Sequence, residues 1–354
     1  MISLRPFRES DSSALQEIER LCPQGDDKCA IGVDKKGDIA ARYKMYDNWK
    51  ILVAEENGRT AGWIGWTVKN YPSRRTKYAY LAEVVVHPEF QRRGVATALV
   101  NGAEKDASRR GSDHVYCYIY DPNHASKSLF QRLGYSDMTA LRQCAVATYK
   151  KVKLTKNFLI ENPGKEALQE IVSLINSNYK KHTHFVPFNV ESFEIHVNRI
   201  PAYGLDRFWV AKSSGKIVAC AGLWDPSVLT DLYYAREPFT LKAMRALFLS
   251  LSPFVKVPRI AAEGEKFEFQ TMIDYAFDPE NPKAMRELMR YLNNKLIESE
   301  KDYLLGIFAV DDPFFEIVRW FHPQIEIWRM YAKSLNGELA DFSPIYVDPK
   351  DLIP

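Results

Sequence analysis

Apolar and polar positions fall into short blocks along the first 150 residues, and each block predicts an element. Ile2, Leu4 and Pro6-Phe7 form a short strand. Arg8-Glu9-Ser10-Asp11 then leads into a helix over Ser12 to Cys22, which Asp11 is placed to cap. Pro23 to Asn48 is mixed in polarity without a clean period and reads as loop with some helix. Ile51 to Ala54 and Thr60 to Val68, joined through Asn57-Gly58, carry a strong hairpin signal. Tyr78 to Val86 is almost continuously apolar, the mark of a central strand covered on both faces. Val95, Ala98, Leu99, Gly102 and Ala103 follow helical spacing directly after the Arg93-Gly94 turn. His114 to Tyr120 is again a strand, and Ala125 to Leu133 a helix ended by Gly134. The order predicts an α/β sandwich on a mixed, mostly antiparallel sheet, not an alternating doubly wound one.

The same pattern recurs. Val53-Ala54, Gly58-Arg59 and Gly65 match Val210-Ala211, Gly215-Lys216 and Gly222 at a constant offset of 157 residues. Farther on the offset is 191, pairing Glu83 with Asp274, Pro88-Glu89 with Pro279-Glu280, Asp121-Pro122 with Asp312-Pro313, and Phe130 with Phe321. The change of offset marks a 34-residue insertion that includes Leu241 to Phe254. Ungapped landmarks at shared offsets indicate an internal duplication. The expected units are residues 1–154 and 155–335, followed by a tail over 336–354.

Length and composition agree with this division. A chain of 354 residues exceeds most single cores, and 46% hydrophobic with 26% charged residues is ordinary for a soluble protein. Forty-eight Lys and Arg against 45 Asp and Glu leave too little excess charge to argue for nucleic acid or a membrane surface as partner. Five scattered cysteines without a CxxC pair read as reduced thiols in a cytosol, and no signal peptide or long apolar span is visible. His182-Thr183-His184 lacks the cysteine or carboxylates that would complete a metal site, so no metal is expected. Oligomeric state is left open.

The chemistry lies in His87 to Thr97, HPEFQRRGVAT, which joins a strand to a helix. Unpaired N–H groups at a helix start, with the helix dipole behind them, favour a phosphate or pyrophosphate. Gly94 and Ala96 allow close backbone approach, and Arg92 and Arg93 supply charge.

Gln91, Arg92, Arg93, Gly94, Val95 and Ala96 resemble the acetyl-CoA pyrophosphate loop of the GCN5-related N-acetyltransferase (GNAT) superfamily, a Gln or Arg followed by x-x-Gly-x-Gly/Ala. A second landmark of that family resembles Asn123, Ser126 and Phe130, closing with Gly134-Tyr135. The resemblance spans about residues 1 to 150 and implies a fold of two tandem GNAT-like domains, similar in layout to the mycothiol synthase family. In that family the C-terminal domain carries catalysis, whereas here the intact motif is N-terminal, so that activity is not assigned.

By resemblance, Val84, Val85 and Val86 pair with the pantetheine arm, Gln91 to Thr97 hold the pyrophosphate, and Asn123 and Ser126 add cofactor contacts. Acetyl-CoA is the implied cosubstrate, and a small-molecule primary amine the expected acceptor. Direct attack on the thioester needs a base, for which Glu83 is the candidate, beside its bland reading as an arginine partner. Phe130 stands where many relatives keep a proton-donating Tyr. Tyr116, Tyr118, Tyr120 and Tyr135 are the substitutes at hand, each with a packing role as its alternative. Opposite Gly94, Asn123 and Gln91 the second half has Met285, Phe314 and Pro282, so it is expected to have lost the cofactor and to shape substrate access. A sensor that binds acetyl-CoA without turnover, a binding scaffold that uses neither site, and a protein N-terminal or lysine acetyltransferase are the competing readings.

Overall fold

The computed structural model describes residues 1–71, 76–339 and 341–352. The first half runs β1 (Ile2–Pro6), α1 (Ser12–Arg20), β2 (Gln24–Gly25), β3 (Ala30–Asp34), β4 (Trp49–Glu56), β5 (Arg59–Tyr71), β6 (Thr76–Val86), α2 (Val95–Arg109), β7 (His114–Tyr120), α3 (His124–Arg132) and β8 (Ser136–Ala147). The second half runs β9 (Leu159–Glu161), α4 (Leu168–Tyr179), α5 (Val190–Arg199), β10 (Phe208–Ser213), β11 (Lys216–Trp224), β12 (Asp231–Arg236) and α6 (Phe239–Leu251). It continues with β13 (Phe269–Phe277), α7 (Pro282–Glu298), β14 (Tyr303–Ala309), α8 (Phe315–Val318) and β15 (Gln324–Ser334). Among the described residues no helix is long and apolar enough to cross a membrane.

Twelve strands form one mixed sheet in the order β1-β4-β5-β6-β7-β15-β8-β14-β13-β11-β10-β9. Each half has one parallel pair, β6 with β7 and β13 with β14; the other pairings are antiparallel. The halves exchange strands where they meet. β15 lies between β7 and β8, with Trp328 opposite Tyr120, while β8 lies between β15 and β14, with Ala145 opposite Leu305. Neither half therefore completes its sheet from its own consecutive strands.

The duplication shows in side-chain geometry as well as in topology. Asn57-Gly58 and Ser214-Gly215 turn the two hairpins with the same pair of positive φ angles, 53° and 76° against 49° and 81°. Each hairpin's second strand is irregular at its glycine, Gly65 or Gly222. A Cβ at Gly65 would lie 1.9 Å from the Tyr43 hydroxyl, and one at Gly222 would lie 1.8 Å from that of Tyr203. Those hydroxyls donate to Glu83 and Asp274, the residues matched at offset 191.

Two local expectations are corrected. Asp11 makes no side-chain cap to α1; it is held by Arg5 at 2.7 and 2.8 Å and accepts from the Arg8 N–H at 2.7 Å. Pro23 to Asn48 is not simply loop with some helix, because β2 and β3 build a second sheet with β12, in the order β12-β3-β2. The partner strand lies about 200 residues away, within the insertion, so local periodicity could not announce it. Gly32 is required there: a Cβ would fall 2.3 Å from the Tyr233 ring.

Candidate functional site

The parallel strands β6 and β7 pair only at Tyr78/His114, Ala79/Val115 and Tyr80/Tyr116. Beyond that point β6 runs on to Val86 and β7 to Tyr120 without pairing with each other, which opens a cleft with Val84–Val86 as one lip. The turn into α2 stands at its mouth. His87 accepts from the Glu89 N–H at 3.2 Å, and Gln91 Nε2 donates to the Val86 carbonyl at 3.2 Å. The guanidinium groups of Arg59 and Arg93 lie over the buried Phe90 ring at 5.1 and 5.6 Å.

Arg92 and Gly94 adopt positive φ angles of 62° and 85°, and Gly94 is the N-cap of α2. No side chain caps that helix, so the N–H groups of Val95, Ala96 and Thr97 lack helical partners. A Cβ at Gly94 would meet nothing within 4 Å. Backbone conformation and open approach, not crowding, are what call for glycine here. Arg92 is exposed, and Arg93 pairs loosely with Glu56 at 3.2 Å, so positive charge faces the opening. Asn123 caps α3 by accepting from the Ser126 N–H at 3.0 Å, which fixes the second landmark beside the end of β7. Helix start, open glycine and arginines together fit a pyrophosphate-bearing group.

The opposite face carries a buried charge cluster. Glu83 accepts from Lys35, from Arg42 at 2.9 Å and from the Tyr43 hydroxyl. Burial alone would raise its pKa, but Lys35 and Arg42 outweigh it and hold the carboxyl below the usual range. Such a group is a poor proton acceptor, so the geometry gives Glu83 the ion-pair role and not that of the expected base. The cluster holds a second carboxylate that the sequence reading passed over. Glu19 on α1 is 5% exposed, and its Oε2 has no hydrogen-bond partner. Burial pushes Glu19 up to about 7 against the pull of Lys35. Three residues on, the Cys22 thiol donates to the Val86 carbonyl at 3.2 Å, tying the end of α1 to the cleft lip. Alternation on α1 could have flagged Glu19 as an acidic residue beside the apolar Leu15 and Ile18; nothing local signals its lack of a partner.

The tyrosines separate by face. Tyr135 packs edge-on against Phe130 at 4.9 Å within the α2-side core; its hydroxyl is buried without a hydrogen-bond partner, and burial pushes it well up. Tyr116 and Tyr118 join Tyr71, Tyr78 and Tyr80 on the other face, while Tyr120 packs tilted against Trp328 at 5.4 Å. Tyr118 lies beyond the last residue of β7 that pairs with β6, and its buried hydroxyl has no hydrogen-bond partner. The chain's own tail covers this face. Asp351 accepts from Tyr46 at 2.9 Å, Tyr116 at 2.6 Å and Lys69, and its carbonyl accepts from Arg42 and Tyr80.

The second half is closed where the first is open. α7 begins at Pro282, so the residues matched to the Gln91–Gly94 turn are already helical, and Met285 is fully buried. Phe314 packs against Tyr275 at 4.4 Å and Phe308 at 5.3 Å, filling the place of Asn123. Among the described residues no group of three His, Cys, Asp or Glu side chains is placed to hold a metal; the His184 ring stacks on Tyr78 at 4.0 Å.

The sequence profile of the acetyltransferase (GNAT) family matches residues 14–135. The fold is similar to that of a GCN5-related N-acetyltransferase from Sphaerobacter thermophilus. The identity is 11% and the TM-score 0.64, with 96% of this chain and 97% of that one covered. A tandem GNAT protein from the clavulanic acid biosynthesis pathway aligns at 10% identity and TM-score 0.61, covering 96% of this chain and 100% of that one. Saccharomyces cerevisiae N-myristoyltransferase aligns at 11% identity and TM-score 0.61, covering 94% and 79%. At these identities the likeness concerns the fold. Residues 14–135 thus resemble the acetyltransferase (GNAT) family in sequence, and the fold of the whole chain is similar to that of a tandem GNAT protein.

Proposed function

We propose that the protein transfers an acetyl group from acetyl-CoA to a primary amine of a small molecule, using the first half alone for cofactor binding. The observation that carries this reading is the contrast between the open α2 start at Gly94 and the closed α7 start at Met285. Acetyl-CoA supplies an activated thioester carbonyl. The chain's part is to place the backbone N–H groups of Val95–Thr97 and Arg92 and Arg93 at the pyrophosphate, the Val84–Val86 edge along the arm, and Asn123 and Ser126 at the adjoining helix start.

Proton handling is assigned to groups left unsatisfied in the fold. Glu19, poised near neutrality, takes the proton of the incoming ammonium, and Glu83 keeps Lys35 and Arg42 in place around it. Tyr118 stays protonated through neutral pH and offers its hydrogen to the leaving sulfur, the part Phe130 cannot play.

Isothermal titration with acetyl-CoA tests the core of the reading. Binding to the intact chain at micromolar concentration, lost in Gly94→Glu with the melting temperature kept, is the expected result. Absence of binding to the intact chain, or binding indifferent to Gly94→Glu, overturns it. Thiol release over a panel of amines then separates an enzyme from a sensor.

A further inference from the structure

A cavity of about 190 Å³ lies between the second half's sheet face and the small β12-β3-β2 sheet. Both halves line it, including Val33 and Tyr120 from the first and Tyr234, Phe267, Glu326 and Trp328 from the second. Its walls are mainly apolar, and the aromatic rings come in pairs: Tyr120 with Trp328 at 5.4 Å, and Tyr234 with Phe267 at 4.6 Å.

Three carboxylates face this space, and they differ in how far they are satisfied. Asp274 is bound by His196 at 2.9 Å and by the Tyr203 hydroxyl at 3.1 Å. Asp312 accepts from the Tyr275 hydroxyl and, at 2.8 Å, from the Phe314 N–H. Glu326 has only two long contacts, with Tyr120 Oη and Gln143 Nε2, each at 3.3 Å. Among the described residues no Lys, Arg or His lies within ion-pair distance of Glu326, and burial pushes its carboxyl up. A carboxylate short of a counter-charge among aromatic faces favours a cation, through both the ion pair and the ring quadrupoles. Tyr120, which touches Glu326, ends the strand that forms one lip of the acyl cleft, and Val33 lies two residues before Lys35, the partner of Glu83.

We infer that this interdomain cavity is where the acceptor docks before transfer, and that it takes a protonated primary amine on a compact apolar body, with the ammonium against Glu326 until it moves into the acyl cleft where Glu19 takes its proton, and the body against Trp328 and Phe267. The inference rests on the acetyltransferase reading for its chemistry, but amine binding itself does not. At about 190 Å³ the cavity is smaller than the roughly 300 Å³ at which pockets for drug-sized ligands begin, which suits one ring or a short branched chain and not a peptide. The second half thereby acquires a function that its closed cofactor position does not suggest: it selects the acceptor.

The test is titration of the full chain, without acetyl-CoA, with 2-phenylethylamine, the isosteric 2-phenylethanol and spermidine, followed by calorimetry and by tryptophan fluorescence. The expected result is that 2-phenylethylamine binds at least tenfold more tightly than either of the others. Glu326→Gln should abolish the preference over the alcohol while leaving the alcohol's affinity unchanged. Equal binding of amine and alcohol by the intact chain overturns the inference, as does tighter binding of spermidine; neither outcome depends on a variant's folding. Gly94→Glu should bind 2-phenylethylamine like the parent. Failure of acetyl-CoA binding with amine binding intact would remove the proposed reaction and leave the site standing.

Discussion

The Tyr116 hydroxyl donates to the Asp351 carboxylate at 2.6 Å, across 235 positions of sequence. Asp351 comes from the tail, Tyr116 from the last position at which β7 pairs with β6, so the tail is part of the first half's buried polar network.

Replacing Asp351 should therefore cost stability and not merely loosen a terminus. Asp351→Ala leaves Lys69, which is 13% exposed at its side chain, with Asp348 alone, and strips acceptors from Tyr46 and Tyr116. Breaking a buried pair of this kind costs about 3 kcal/mol. Urea unfolding should show the midpoint shift at constant slope; a shift within error would mean the tail is not held in this way.

Glu19→Gln and Glu83→Gln should fail in different ways. Folded Glu19 holds its proton up to about 7, whereas the unfolded side chain releases it near 4.5, so Glu19 costs stability as pH rises through that window. Glu19→Gln should melt no lower than the parent at pH 8 yet lose about 10²-fold or more in kcat, together with the acidic limb of the pH profile. Glu83 has the opposite sign: its pKa is depressed, so its contribution is present above 4.5 and is lost as pH falls below that value. Glu83→Gln should lower the melting temperature at pH 7. A Glu19→Gln enzyme with an unaltered pH profile would return the base role to another group.

Tyr118→Phe removes an unpartnered hydroxyl from a buried face and should be close to neutral for stability. A drop of about tenfold in kcat with KM unchanged is the expected outcome under the proton-donor assignment.

The repeated bulge predicts a matched pair of defects. Gly65→Ala and Gly222→Ala each drive a methyl into a tyrosine hydroxyl, at 1.9 and 1.8 Å, and should each destabilise by roughly 1–3 kcal/mol. Gly306→Ala, whose methyl would make only an ordinary 3.5 Å contact with Phe308, serves as the control. Denaturant midpoints decide the comparison.

Acid should weaken the tail face before it weakens the carboxylates. Burial lowers His114 to about 4, so the unfolded state takes up a proton below 6.5 that the folded state resists; stability contributed here is lost from 6.5 down to about 4. Facing His114 are Asp113, Tyr78, His184 and Phe342, and only Asp113 opposes the shift. His114→Phe should flatten the stability profile across that interval, as read from melting temperatures.

Much of the first half was legible because its signals are local. Apolar runs, the Asn57-Gly58 turn and the Gly94 helix start depend on neighbours within a few residues, and β4 to α3 appear where the pattern put them. The duplication was legible from spacing, and so was the contrast between the two helix starts, with Met285 and Phe314 buried where Gly94 is open and Asn123 caps α3. What the sequence could not decide was pairing across long separations. The β15 insertion, the β3–β12 contact, the tail in the tyrosine face and the cavity at Glu326 all join residues about 200 positions or more apart. The proton assignments changed for the same reason. Whether a carboxylate accepts protons near neutrality depends on which charges and how much water surround it, and Glu83 and Glu19 look alike until Lys35 and Arg42 are seen to reach one of them and leave the other short of a partner.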